Sequence, residues 1–470
     1  MALYFKRCDG TAATIEDFIA CFAETSGTSL DAFLVWYRQA GTPHVTIAEH
    51  YDPATREFRL GFSQMTPATP GQAKKEPVII PIALGFLRQD GRDMHLATEH
   101  PNYREGVFVL DRENDKLAFR NVDSKPVLSA LRGFSAPVIL KTALTNEDRL
   151  VLLAHDRDPF NRWQAAQGYA THLLTDAAEA IRNGRNPAID PRFADALAST
   201  LTGKDHALMA QLLTLPSESD IAREIGRDID PDAIRDARLM LKQSIGRQIA
   251  PQIQHLVKTL QPSHPYQPDA ASAGQRALKN TVLDLFAAGD PSAALPMVMD
   301  QYHGSDNMTD RFAALSILAQ HKGETRETAL THFAESFKDD PLVLDKWFAL
   351  QAGIAEDETL DRVKRLMNHP GFSKRNPNRL RALVGSFAAG NPSQFNRKDG
   401  AGYAFVADIV IETDRSNPQV AARILGAFKL WRSLEPQRRA LAEAALRTIE
   451  AQEKLSPDVG DIVLRTLADS

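Results

Sequence analysis

Residues 36 to 47, Trp-Tyr-Arg-Gln-Ala-Gly-Thr-Pro-His-Val-Thr-Ile, join the end of one kind of structure to the start of another. Just upstream, Leu30, Phe33, Leu34 and Tyr37 recur at spacings of three and four, the signature of one helix face. Gly41 and Pro43 stop that pattern, and from Val45 and Ile47 onward the apolar residues alternate, as on a strand with one buried side. A chain that changes its hydrophobic period here has to fold as separate helical and β bodies.

Three regimes follow. Residues 1–43 read as two short helices, one capped by Thr14 and running through Phe18, Ile19, Phe22 and Ala23, the other carrying Leu30 to Tyr37. Their apolar faces are large and the segment is too short to bury them, so Phe18, Phe22, Phe33 or their neighbours are predicted to be exposed unless a larger body covers them. Residues 44–141 alternate at period two: Val45 and Ile47, then Phe58, Leu60 and Phe62, then Ile80, Ile82 and Leu84. Asp52-Pro53-Ala54-Thr55 makes a turn, and Gly106 to Leu110, Lys116 to Asn121 and Ala136 to Leu140 are further strand candidates. About seven short strands in roughly 100 residues predict a small antiparallel, Ig-like β-sandwich, with Pro67, Pro70, Pro77 and Pro81 in loops or edge strands.

Residues 142–470 are helical throughout and punctuated by Asx-Pro pairs: Asp158-Pro159, Asp190-Pro191, Asp230-Pro231, Asp290-Pro291, Asp340-Pro341, Asn376-Pro377, Asn391-Pro392 and Asn417-Pro418. An Asp or Asn at the cap accepts a hydrogen bond from an unpaired helix N–H, and proline at the first helical position loses nothing by lacking its own. Apolar stripes follow, such as Trp163, Ala166, Tyr169, Ala170 and Leu173, or Leu344, Trp347, Phe348 and Ala352. So many short capped helices predict a superhelix of stacked pairs, of the armadillo or HEAT kind. The expected fold class is therefore multidomain β + α: two helices, a small sandwich, then a large all-α superhelix.

At 470 residues the chain exceeds what one core can organise. Its net charge of -5 is spread without a single-sign block, which argues against a nucleic-acid partner. Cys8 and Cys21 read as reduced thiols of a cytosolic protein. The start lacks a signal peptide's apolar core, and the longest apolar run, Val78 to Leu87, is broken by Pro81 and Gly85. A cytoplasmic protein without membrane partners is the expectation.

Catalytic constellations are missing from the pattern. Zinc hydrolysis calls for His-Glu-x-x-His on a helix, and no two histidines here stand four apart. His95, Glu99 and His100 come nearest to a cluster, but two histidines five apart on a strand point to opposite faces, and a solvated loop is the plainer reading. Gly133-Phe134-Ser135-Ala136-Pro137 echoes a nucleophile elbow, with Pro137 where the last glycine belongs. Lys374, Arg375, Arg379 and Arg381 crowd the helix start at Asn376-Pro377, where solvation or pairing with acids competes with a cavity-lining role. Trp163, Trp347 and Trp431 lie on apolar helix faces and read as core. No catalytic residue and no metal ligand is assigned.

The junction, together with Thr66-Pro67-Ala68-Thr69-Pro70-Gly71-Gln72, closely resembles the passage from zinc domain to β-sandwich in bacterial aminopeptidase N, a zinc metalloaminopeptidase of the thermolysin-like gluzincin group. The likeness continues through Asp9 to Thr14, Phe134 to Val138, Phe160 to Gln167, Asn307 to Asp310, Asp345 to Phe348, Asn376 to Arg379 and Ser416 to Ala421. It implies that 1–43 is the end of the thermolysin-like catalytic domain, 44–141 the sandwich and 142–470 the C-terminal helical domain. The zinc motif, the Gly-x-Met-Glu-Asn segment and the tyrosine of the family's site would all lie upstream.

The resemblance implies a zinc-dependent aminopeptidase of peptide catabolism, monomeric, acting on peptides, whose helical domain encloses the chamber and controls access. The missing catalytic domain would pack on residues 1–43 and on the helical domain, and this chain alone would hold no zinc and be inactive. Gln419 and Arg423, one turn apart behind the cap at Asn417-Pro418, would line the substrate chamber. The competing expectation is a stand-alone sandwich-plus-solenoid scaffold that binds peptides or proteins on its concave face.

Overall fold

The structure is a computed structural model that describes residues 1–260 and 265–468. The chain divides into two compact units, Met1–Tyr169 and Ala170–Ser470.

The first unit opens with three helical segments where the sequence predicted two: Ala2–Cys8, Ile15–Ser26, and a 3-10 turn Asp31–Leu34 that continues as Val35–Arg38. The extra one, Ala2–Cys8, buries no residue, so its apolar pattern gave little signal. Thr14 and Asp17 form a reciprocal capping box, and Gly27 ends the second helix in the left-handed conformation that glycine reaches without strain. Arg7 pairs with Glu24 at 2.8 Å and Tyr4 meets Phe18 edge-on at 5.0 Å, which ties the first two helices together. Phe5, Phe22 and Tyr37 are exposed, while Phe18 and Phe33 are half-buried.

Eight strands follow: β1 His44–Asp52, β2 Glu57–Met65, β3 Ile80–Leu87, β4 Tyr103–Arg104, β5 Val107–Leu110, β6 Asn114–Phe119, β7 Val127–Ala130 and β8 Ile139–Thr142. They form two four-stranded sheets, in the orders β6-β2-β1-β8 and β4-β5-β3-β7. Val45, Ile47, Phe58, Leu60, Phe62, Leu117 and Phe119 of the first face Ile80, Ile82, Phe86, Phe108 and Leu110 of the second in one apolar core. The period-two signal therefore placed the core correctly. Two details depart from it. β8 runs parallel to β1, pairing Leu140 with Val45, where the sequence predicted antiparallel strands only. β7 escaped notice because all four of its residues are buried and nothing alternates.

Pro81, expected in a loop or edge strand, lies inside β3 opposite Val109. β3 hands its first half to β5 and its second to β7, so on the side away from β5 no strand pairs with Pro81. Arg132 crosses directly over Gly85, where any side-chain carbon would stand 1.9 Å from the guanidinium, and reaches Asp156 at 2.8 Å. Asn161 of the following helix donates to Ser129 Oγ at 2.7 Å and to the Ala130 carbonyl at 2.9 Å. These buried polar contacts fasten the first helices of the helical region to the sandwich.

Helices begin at every one of the Asx-Pro prolines, from Pro159 to Pro418. Asp190, Asp230, Asp290, Asp340, Asn376 and Asn417 each accept a backbone N–H with the side chain, as the capping argument requires. Asn391 is the exception. It turns inward and donates to the carbonyls of Ala352 and Ile354 at 3.0 and 2.8 Å, joining two neighbouring helical layers.

Within the second unit the helices stack as the solenoid pattern predicts. Helices Pro231–Gln248 and Ala270–Gly289 cross backbone to backbone at Gly246 and Gly289, where an added carbon on Gly246 would lie 2.0 Å from the Leu285 carbonyl. Far-separated parts of this unit then meet. Ile229 N donates to Ser433 O at 2.8 Å and Glu435 N to Ile229 O at 3.0 Å. Arg438, 0% exposed, donates to Asp230 at 3.0 Å, to the Asn396 carbonyl and to Asp232. Arg439 adds a contact to Asp228 at 3.1 Å.

Candidate functional site

The helix Pro418–Leu425 carries the two candidate substrate residues. Asn417 caps it by accepting from Val420 N at 3.3 Å, and Pro418 opens it. Val420, Ala421, Ile424 and Leu425 are buried, which fixes the rotation of the helix and leaves Gln419 and Arg423 exposed together on the opposite side. Arg423 has no carboxylate partner among the described residues. Downstream arginines differ: Arg432 donates to the carbonyls of Leu467 and Ala468 at 2.8 Å, and Arg438 and Arg439 are bound to aspartates. An exposed amide beside an exposed guanidinium offers donors for a carbonyl or carboxylate.

Two cavities lie elsewhere in the same unit. One, of about 500 Å³, is lined by Asp176, Glu179, Arg182, Glu224 and Asp228. The other, of about 260 Å³, is mostly apolar and lies beside the Arg438 contacts, among Ile229, Phe395, Tyr403, Phe428 and Trp431. Neither includes Gln419 or Arg423.

The other sequence candidates resolve into structure. His95, Glu99 and His100 lie in irregular chain between β3 and β4, not on a strand as the spacing argument assumed. His100 Nδ1 accepts from Asn102 N at 3.2 Å and its Nε2 faces Asp115 at 3.5 Å, so both ring nitrogens are engaged. Ser135 Oγ accepts from Ala83 N at 3.0 Å and holds the β3 edge. Lys374 pairs with Glu412 at 2.7 Å, and Arg379 is buried against Asp345 at 3.0 Å with Phe348 beneath it. Arg381 donates to the Pro377 carbonyl at 3.3 Å. Trp347 and Trp431 are core residues, each donating its indole N–H to a helix carbonyl, while Trp163 is half-buried against Phe160.

The junction that dominates the sequence turns out to be a reciprocal amide clamp. Gln39 donates to Glu76 O at 3.0 Å and accepts from Glu76 N at 2.8 Å. Gln72 accepts from Ala40 N at 2.8 Å and donates to Arg38 O at 2.8 Å. Lys75 reaches Ala40 O and Thr69 Oγ1, and Trp36 donates to Ile79 O at 2.9 Å. Gly41 sits at φ +100° with Thr66 packed against it, a conformation and a clearance that only glycine meets comfortably. These residues hold the helix Val35–Arg38 on the sandwich.

Among the described residues no group of three His, Cys, Asp or Glu side chains could hold a metal ion, and the sequence has no His-Glu-x-x-His. The described side chains therefore do not fit the catalytic zinc that the resemblance implies. No helix among the described residues is long and apolar enough to cross a membrane.

Comparison with known proteins agrees with this architecture. The family model described as "Domain of unknown function (DUF3458_C) ARM repeats" matches residues 146–468, and its companion, "Domain of unknown function (DUF3458) Ig-like fold", matches residues 41–143. The chain belongs to this family, an Ig-like domain followed by helical repeats that form the C-terminal part of aminopeptidase N enzymes. It is 41% identical to aminopeptidase N of Caulobacter vibrioides over 99% of its own length and 53% of the relative's. With aminopeptidase N of Escherichia coli it shares 34% identity over 100% and 54%. The crystal structure of Legionella pneumophila aminopeptidase A in complex with aspartic acid superposes with a TM-score of 0.81 at 28% identity, covering 99% of this chain and 53% of that one. The chain thus spans about half the length of the curated relatives it matches.

Proposed function

We propose that this chain acts as the C-terminal part of a cytoplasmic zinc aminopeptidase that removes N-terminal residues from peptides. The helical domain encloses the catalytic chamber and limits which peptides enter, while zinc and general base belong to the part of the enzyme that precedes this chain. That preceding part covers the exposed aromatic residues Phe5, Phe22 and Tyr37. Gln419 and Arg423 contact the peptide beyond the scissile bond, Arg423 supplying charge-assisted hydrogen bonds to carbonyls or the terminal carboxylate. The observation that carries this assignment is the Arg423 guanidinium, without a carboxylate partner among the described residues and held outward beside Gln419 by a helix whose other face is buried.

The test is Arg423→Ala in the enzyme that includes its catalytic domain. KM for tri- and tetrapeptides rises roughly 10-fold, the size of one lost charge-assisted hydrogen bond, while a single-residue anilide is cleaved as before. Equal effects on both substrates remove Arg423 from the site.

A further inference from the structure

Two exposed histidines from different helices meet edge to face in the helical unit. His303 ends the helix Pro291–Gly304, and His332 lies in the helix Glu324–Ser336. Their ring centroids are 5.7 Å apart with planes at 66°. An ion about 2.0–2.1 Å from one nitrogen of each ring, at an angle between tetrahedral and trigonal, would hold the centroids roughly 5 to 6 Å apart. The observed spacing already lies within that interval.

A second observation concerns which nitrogen of His332 is free. Its Nδ1 lies 2.8 Å from the hydroxyl of Tyr302, which is 1% exposed and also lies 3.2 Å from the Ala329 carbonyl. A phenol has one proton. With that proton given to Ala329 O, the 2.8 Å contact is made by His332 donating Nδ1–H to the phenol oxygen, and Nε2 carries a bare lone pair. The carbonyl gives the phenol proton a place to go, so this tautomer loses no hydrogen bond. Orientation of a ligating imidazole through its other nitrogen is the usual outer-sphere arrangement at metal sites. His303 makes ring contacts with Tyr302 and His332 and no hydrogen bond among the described residues.

We propose that His303 and His332 form a two-imidazole site for a divalent late-transition ion, Cu²⁺ bound more tightly than Ni²⁺ or Zn²⁺, with Tyr302 as the positioning residue. Imidazole nitrogens favour these ions over Mg²⁺ and Ca²⁺, and the order of the divalent series places Cu²⁺ first. With no third His, Cys, Asp or Glu ligand grouped there among the described residues, water completes the coordination sphere and the ion exchanges readily. The site bridges two helices that are not consecutive.

The test is a titration of the tag-free, chelator-stripped chain with CuCl₂, followed by calorimetry and by electron paramagnetic resonance of the bound ion. One Cu²⁺ per chain binds with two nitrogen ligands, and Mg²⁺ does not compete. His303→Ala and His332→Ala each weaken binding about 30-fold or more, and Tyr302→Phe weakens it about 10-fold with the helical circular dichroism unchanged. His95→Ala leaves it intact. The proposal is overturned if His303→Ala or His332→Ala binds Cu²⁺ as tightly as the parent chain, or if His95→Ala abolishes binding.

Discussion

The sandwich and the helical unit solve the same problem, fixing one arrangement of elements, with different polar chemistry. In the sandwich an apolar core set by alternation is trimmed by neutral amide contacts, those of Gln39, Gln64 and Gln72 with backbone groups within a few dozen residues. The helical unit relies on buried charge, whereas at the sandwich the largely buried pair Arg132–Asp156 marks where the following helices join it. Arg326 binds Glu356 in the loop that follows the helix Pro341–Ala352, Arg379 binds Asp345 on that helix, and Arg438 reaches Asp230 across 208 residues of chain. A sheet's hydrogen-bonded ladder already fixes register, so neutral bonds at its edge suffice. Stacked helices contact only their neighbours, and joining distant ones takes an anchor that is costly to break.

That contrast can be broken first at Arg438. Arg438→Ala leaves Asp230 and Asp232 without their buried partner, and the helical unit should lose about 3–5 kcal/mol of stability. Urea unfolding followed through Trp431 reads this out, because Trp431 lines the apolar cavity beside the anchor. A loss below about 1 kcal/mol would mean the anchor is ornamental. On the sandwich side, Gln72→Ala frees the Ala40 N–H and the Arg38 carbonyl, a local cost of about 1–2 kcal/mol. Hydrogen exchange should speed up at Ala40 and along Val35–Arg38 while strands β1 to β3 stay protected.

The smallest expected effect concerns Lys279, a buried cation that faces Asp310 without a hydrogen bond to it. Burial lowers its pKa below the ordinary 10.5. Between the lowered folded value and 10.5 the unfolded chain binds the extra proton, so stability rises with pH through that window. Lys279→Met should remove this rise and add about 1 kcal/mol at neutral pH, measured as urea midpoints from pH 7 to 10. A midpoint that falls at neutral pH would make Lys279 a partner Asp310 needs.

What the sequence made legible follows from range. Strand alternation at Val45 to Phe62 and proline starts from Pro159 to Pro418 are local signals, and the structure follows them closely. β7 was invisible because continuous burial has no period, and Ala2–Cys8 because a helix that buries nothing shows no stripe. Arg438 reads as one more surface charge until Asp230 arrives from far along the chain. His303 and His332 failed the spacing test for a ligand pair for the same reason, since they meet only through folding. Gln419 and Arg423 are the opposite case. Cap and period put them on one exposed face from sequence alone, but what they face lies outside any local rule.

We propose that this chain supplies chamber walls and substrate contacts while the hydrolytic chemistry lies in the rest of the enzyme. The direct measurement is an aminopeptidase assay of the purified chain on alanine p-nitroanilide with added Zn²⁺, beside the enzyme that includes its preceding domain. Turnover by the longer enzyme that a chelator abolishes, with none by the chain above a chelator-treated blank, is the predicted result. Chelator-sensitive turnover by the chain alone would contradict it.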